Sequence, residues 1–345
     1  MSKFPSQLFW VGEQSGRPIL KYRKKDYVMD STVNYYGRRK IKLSYEPGRL
    51  FLDSGAFTAA MRNIELDRER VLYIQERLRP DLAIPLDYPF TPNMSVDMMK
   101  LAWWKTRKNI LYWQENSSLS GKVVPTLHSW DHQSLENNIK WIAKYIDASY
   151  LAIGVIVNPD FSGYKGFFKD RQPRIDLVRM LAQTVHLVSS LTDFKIHAMG
   201  LGSSPLILHL AYYLGVESTD SAGYRRKAAY GKIILPGTSE RYVGSINGSF
   251  GRKRLNRQES LILEECECSV CRVNHTRLWY DWKARAIHNE FVLKLEATKA
   301  RQLISQGIDA YEKYLDEIFS KSKHGLEYLW RRAKIMRKYH KITHL

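Results

Sequence analysis

Short apolar runs alternate with helix-like segments along this chain, and that alternation constrains the fold more than any single motif. The runs are Leu50–Leu52, Leu82–Leu86, Val123–Leu127, Leu151–Val155, Lys195–Met199 and Gly215–Ser218. Between them lie Asp67–Leu78, Val96–Glu115, Gln133–Ile146, Arg174–Leu191 and Pro205–Leu214, with apolar residues at helical spacing, as at Leu177, Met180, Leu181, Val185 and Val188. Strands alternating with helices predict an α/β fold with a parallel sheet. Six or more such units, with no GxGxxG turn after the first strand, favour a closed (β/α)8 TIM barrel over a doubly wound sheet, which stays the alternative.

The residues at the ends of these runs carry the functional signal. The chain leaves successive strands through Asp53, Asp87, His128, Gly154, Gly200 and Asp220. In a barrel the C-terminal strand ends carry the chemistry, so these groups are expected to converge on one mouth. An Asp after a strand can instead be a helix cap. Three Asp and a His at matching positions argue for a site.

Charge narrows the partner. The 345 residues include 54 Lys and Arg against 35 Asp and Glu, a formal net charge of +19. Basic clusters stand at Lys21–Lys25, Arg38–Lys42, Arg225–Lys227, Gly251–Arg257 and Arg331–Lys341, with Tyr and Trp among several of them. Such a surface attracts polyanions, nucleic acid first among them. A hydrophobic fraction of 44% is enough for a substantial core, and no run of 18 apolar residues exists to span a bilayer. The N-terminus lacks the pattern of a signal peptide, so a cytoplasmic location and no membrane partner are expected.

All three cysteines lie in ECECSVC, as Cys266, Cys268 and Cys271. No redox-fold signature surrounds them, so a CxCxxC cluster of thiolates suits zinc better than disulfide exchange. Tetrahedral zinc wants a fourth ligand, and spacing alone leaves His275 and His288 open.

Four segments together resemble the tRNA-guanine transglycosylases and cover most of the chain. They are Cys266-x-Cys268-xx-Cys271 with His288-Asn289, Asp53-Ser54-Gly55-Ala56-Phe57 (similar to DSGGF), His197-Ala198-Met199-Gly200-Leu201-Gly202 (similar to HLMGVG), and Thr219-Asp220 followed by Arg226 and Gly231. The resemblance implies a single barrel domain over 1–345, with a zinc-binding segment at 262–295 and a basic helical tail at 296–345. It implies structural Zn2+ on Cys266, Cys268, Cys271 and His288, with no ligand position left for water. By the same resemblance Asp220 is the nucleophile of a covalent enzyme–sugar intermediate, and Asp53 is the second carboxylate, assisting proton transfer. Asp87 would read the N1–H and 2-amino edge of guanine. Phe57 and Met199 would clamp the base, with the backbone at Gly154 and Gly200 close to it. Arg225, Arg226 and Lys227 would contact phosphates.

The departures from the family pattern matter as well. His128 stands where the tRNA enzymes carry a base-reading Gln, which points to altered recognition of the 7-substituent. The segment DSAGYRRKAAYG stands in place of a PTR-x-x-R-x-G stretch, with Ala229 at the second arginine. FWVG, LDSGAFTAA and this segment look more like the DpdA-type branch, which places 7-deazaguanine bases such as preQ0 into DNA, often in phages or genomic islands. The expectation is therefore guanine replacement in DNA by a 7-deazaguanine, with tRNA as the alternative substrate. A non-catalytic nucleic-acid-binding paralogue is the remaining alternative. Helper proteins and a homo-oligomer are possible partners.

Overall fold

A computed structural model describes residues 5–13, 26–91, 94–154, 172–244, 255–321 and 326–342, with main chain only at 172–177. Its centre is a sheet of eight short strands: β1 (Leu8–Gly12), β2 (Tyr27–Ser31), β3 (Arg49–Asp53), β4 (Leu82–Ala83), β5 (Thr126–Leu127), β6 (Tyr150–Ile153), β7 (Lys195–Ala198) and β8 (Ser218–Ser221). Every pairing is parallel, in the order β4-β3-β2-β1-β8-β7-β6-β5. The two outer strands also meet. Ala83 and Val123 form a parallel bridge, and the Val124 N–H donates to the Ala83 carbonyl at 2.8 Å. The sheet therefore closes into the expected (β/α)8 barrel.

Side-chain alternation explains how the barrel fills. Leu8, Trp10, Met29, Phe51, Tyr150 and Ala152 form one buried cluster inside it. Their strand neighbours Phe9, Val11, Leu151 and Ile153 face outward into the core beneath the helices. Those helices are α1 (Ala56–Met61), α2 (Arg68–Leu78), α3 (Val96–Asn116), α4 (His132–Tyr145), α5 (Gln172–Leu191), α6 (Pro205–Tyr213) and α7 (Gly223–Ala229). Capping fixes their starts: the Asp67 side chain accepts from the Arg70 N–H, and Asp131 with Ser134 closes a capping box on α4.

The strands depart from the sequence reading in instructive ways. The runs at Leu82–Leu86 and Val123–Leu127 each contain a proline, Pro85 and Pro125, which cannot donate to a ladder, and the continuous strands shrink to Leu82–Ala83 and Thr126–Leu127. The run at Gly215–Ser218 is mostly a turn, with Gly215 at φ +94°, and the strand begins only at Ser218. β1 and β2 complete the barrel and were not anticipated.

Beyond the barrel come a hairpin, β9 (Lys232–Ile234) and β10 (Glu240–Tyr242), and then α8 (Arg257–Glu264), α9 (Cys271–Asn274), α10 (Arg277–Tyr280), α11 (Trp282–Gln306), α12 (Ile308–Ser320) and α13 (Glu327–Tyr339). A second small core gathers Ile233, Leu235, Val243, Leu263, Val270 and Leu278 around the three cysteines. Residue 296, where the basic tail was expected to begin, lies in the middle of α11. The tail is docked: Trp330 of α13 is buried against Tyr213 and Phe319, and Arg337 Nη1 donates to the Tyr213 carbonyl at 2.6 Å. No described helix is long and apolar enough to cross a membrane.

Candidate active site and metal centre

The strand ends do converge. A cavity of about 310 Å³ at the barrel mouth is lined by Asp53 and Phe57 after β3, Asp87 after β4, His128 after β5, Gly154 after β6, Met199 and Gly200 after β7, and Asp220 on β8. All eight residues expected to act on the base or the sugar are in that lining. It also includes Glu13, Asp30, Ser31 and Phe90, which the sequence reading missed. Ser31 ends the YVMDS run as Asp53 ends RLFLD and is its register partner, so the same strand-exit signal marks Ser31 once β2 is recognised, with Asp30 one residue before it.

Asp53 is held by a tight turn. Its Oδ2 accepts from Ser31 Oγ at 3.2 Å and from the Gly55 N–H at 3.0 Å. Gly55 sits at φ +85°, and a Cβ there would lie 2.7 Å from Val33 Cβ, so only glycine fits the DSG turn. Burial, then the neighbouring Asp87 carboxylate, push the Asp53 carboxyl up to about 7, and Asp220 adds to the rise.

Asp220 is approached from one side. Its Oδ1 accepts from the Gly200 N–H at 2.7 Å and lies 3.4 Å from His197 Nε2. His197 is itself anchored, with Nδ1 2.9 Å from Ser218 Oγ. Among the described residues no hydrogen bond ends on Asp220 Oδ2. Gly202 lets the β7 loop lie against β8: its N–H donates to the Asp220 carbonyl at 3.0 Å, and a Cβ there would come within 2.5 Å of the Phe9 ring.

Asp87 and His128 form a buried pair. His128 Nε2 lies 3.0 Å from Asp87 Oδ2, while Ser54 Oγ donates to Oδ1 at 2.9 Å. The His128 ring leans on Phe90, with centroids 5.2 Å apart. The structure thus ties the imidazole to the carboxylate beside it. Phe57 lines the cavity and is 49% exposed.

The three cations of α7 divide. Arg225 is paired with buried Glu13 and Lys227 with Glu240, which leaves Arg226 as the exposed one. Arg225 and Lys227 therefore neutralise partners within the chain. The basic cluster Lys21–Lys25 and most of Gly251–Arg257 lie outside the described residues.

Cys266, Cys268, Cys271 and His288 are all buried, and their donor atoms lie within 4.8 Å of one another. His288 Nδ1 is 3.5, 3.7 and 3.5 Å from the three sulfurs. A tetrahedral zinc with ordinary bond lengths sets sulfur and nitrogen ligands about 3.6 Å apart. His288 Nε2 lies 2.9 Å from the Ile234 carbonyl, so its proton sits there and Nδ1 turns a bare lone pair to the sulfurs. The donor set fits a metal, and the fourth corner is His288; His275 is not part of it. The next residue, Asn289, accepts from the Ile234 N–H at 2.7 Å and donates to the carbonyls of Tyr224 and Lys232. The centre is thereby fastened to α7, two residues beyond the strand that carries Asp220.

Comparison with known proteins agrees with this geometry. Residues 52–324 match the family described as Queuine tRNA-ribosyltransferase. The chain is 26% identical over 311 residues to the tRNA-guanine(15) transglycosylase of Thermococcus kodakarensis, covering 83% of this chain and 46% of that protein. It is 25% identical over 306 residues to the protein of the same name from Sulfolobus acidocaldarius, covering 84% and 52%. The chain thus spans about half the length of these curated relatives.

Proposed function

The chain belongs to the family of queuine tRNA-ribosyltransferases, the tRNA-guanine transglycosylases, and from that premise we propose that it exchanges a guanine base in a polynucleotide for a 7-deazaguanine. The observation that carries the reading is that one cavity is lined by Asp53, Asp87 and Asp220 together with Phe57 and Met199. Asp220 attacks the anomeric carbon through Oδ2; the bond to N9 breaks, and guanine leaves behind a covalent aspartyl–sugar. Asp53, with its carboxyl near neutrality, gives a proton to the departing base and takes one from the incoming base. The incoming base then displaces Asp220. Asp87, steadied by Ser54 and His128, offers its acceptor face to the N1–H and 2-amino donors. Reaching this mouth requires the target nucleotide to leave its stack. Zinc on Cys266, Cys268, Cys271 and His288 would cross-link the C-terminal segment and supply no chemistry at the mouth.

The polynucleotide we propose is tRNA, as the names of the relatives support. DNA is the second reading. It is favoured by the FWVG of β1, which lies outside the family match, and by DSAGYRRKAAYG in place of the PTR pattern. Labelled guanine is offered with tRNA and with duplex DNA in parallel, using wild-type protein and Asp220→Ala. Exchange into tRNA that Asp220→Ala abolishes supports the reading. Exchange into DNA alone moves it to the second substrate, and exchange into neither overturns it.

A further inference from the structure

Asp30, one residue before the end of β2, lies before the residues that match the family and is only 1% exposed. Its Oδ1 accepts from the Ser31 N–H at 2.7 Å and from Asn34 Nδ2 at 2.6 Å. Its Oδ2 accepts from the hydroxyls of Tyr35 and Tyr45, each at 2.6 Å. A carboxylate has about four acceptor sites, so Asp30 is saturated although it borders the cavity. Such a group does not bind a substrate. It fixes the backbone that carries its donors.

That backbone holds the second carboxylate. Ser31 Oγ donates to Asp53 Oδ2, Thr32 Oγ1 donates to the Asp53 carbonyl at 2.7 Å, and Val33 packs on the face of Gly55. Both hydrogen bonds to the Asp53 carboxylate thus come from Ser31 or from the glycine seated on Val33. We infer that Asp30, with Asn34, Tyr35 and Tyr45, is a positioning cluster that sets the orientation of Asp53 through Ser31–Val33. The role in turnover rests on the proposed base exchange; the effect on Asp53 itself does not.

The other titratable groups lining the cavity are Asp87 with His128, Asp220 and Glu13, and behind that lining His197 faces Asp220 and Arg225 pairs with Glu13. They are left untouched in the test. Asp53 is followed by carboxyl NMR titration in the full-length, metal-loaded protein, which reads it without turnover, and the pH profile of exchange is recorded alongside. Ser31→Ala removes a hydrogen bond to the charged form, so the Asp53 midpoint moves upward, by about half a unit to one unit. Asp30→Asn has one accepting oxygen and a donating NH2, so it cannot accept from both phenols and from Ser31 and Asn34 as well, and the same upward movement is expected. Combined with Ser31→Ala it adds less than its separate shift. Tyr45→Phe, which keeps the ring, gives the same direction and carries the test if Asp30→Asn does not fold. A midpoint that moves in Ser31→Ala but stays at its wild-type value in Asp30→Asn and Tyr45→Phe overturns the inference, as does full additivity. Shifted midpoints in a protein that exchanges no base would instead uphold the cluster and sink the proposed reaction.

Discussion

Two regions of this molecule crowd like-charged donors together, and they resolve the crowding in opposite ways. At the metal centre three buried thiols and an imidazole face one point, and the second nitrogen of His288 is already committed to Ile234. At the barrel mouth three carboxylates share one cavity, and Asp53 is driven up to about 7 by burial and by Asp87. The first arrangement is one that a bound cation would complete permanently. In the proposed reaction the second would be completed only while a cationic, oxocarbenium-like sugar passes through it, so its repulsion would be a cost in the resting protein and an attraction in the transition state. On the proposed reading, one region would stabilise the fold and the other would withhold stability for chemistry.

The sharpest way to break this comparison is at Asp220. Asp220→Asn keeps the shape and removes the proposed nucleophile, so exchange should fall by about 10⁴-fold or more. The melting temperature should hold or rise. Single-turnover incorporation of labelled base and trapping of the covalent intermediate on a denaturing gel measure the first; a melting curve measures the second. A large loss of stability would mean that Asp220 is a structural group.

At the other region the expectation reverses. Cys268→Ser or His288→Ala should release the metal and unfold the small core around Leu263 and Leu278, a loss of several kcal/mol on the scale of structural zinc sites. His275→Ala should leave metal content unchanged. Metal analysis with chelator-dependent melting decides it. Because Asn289 grips α7, activity should fall along with the metal, through disorder near Asp220 rather than through lost chemistry.

How far the sequence announced these regions depends on how local their causes are. The mouth was legible because Asp53, Asp87, His128, Gly154, Gly200 and Asp220 each follow an apolar run, and a parallel barrel brings all such ends together. Pro85 and Pro125 also announced, to a stricter reading, that their strands would be short. β1 was obscured because LFWVG is continuously apolar and five residues long, with no alternation to separate strand from helix. The His128–Asp87 pair and the Arg225–Glu13 pair join residues 41 and 212 positions apart. No spacing rule reaches that far. Spacing likewise left His275 and His288 open, and it is the packing of α11 on the hairpin that selects His288.

Asp53 sharpens the comparison within the mouth itself. Its folded value, about 7, stands above the ordinary carboxyl value of 3.8. Between those values the unfolded chain has lost its proton while the folded chain keeps it. Stability is therefore lost as pH rises through this window and is lowest above it. Asp53→Asn removes the effect, so the variant should gain stability at pH 8, on the order of a few kcal/mol, and little at pH 4. Exchange should drop by about 10²- to 10⁴-fold. Denaturant unfolding at the two pH values reads the stability. Equal gains at both would mean that repulsion in the mouth is not what Asp53 relieves.

The smallest effect belongs to His128. Its ring lies against Phe90 and its Nε2 against Asp87, so in the proposed reaction it would act on the base from beside the acid proposed to read it. His128→Gln places an amide where the tRNA enzymes carry one. A glutamine can donate to Asp87 or to a ligand carbonyl, but its flexible stem does not hold one geometry as the ring does. The ratio of kcat/KM between guanine and a 7-substituted deazaguanine should therefore change by about tenfold, the worth of one hydrogen bond, while stability moves little. Competition between the two bases at limiting polynucleotide measures the ratio directly. If both bases lose the same factor, His128 serves only to steady Asp87, and selection at the 7-position must come from the backbone at Gly154 and Gly200 across the cavity.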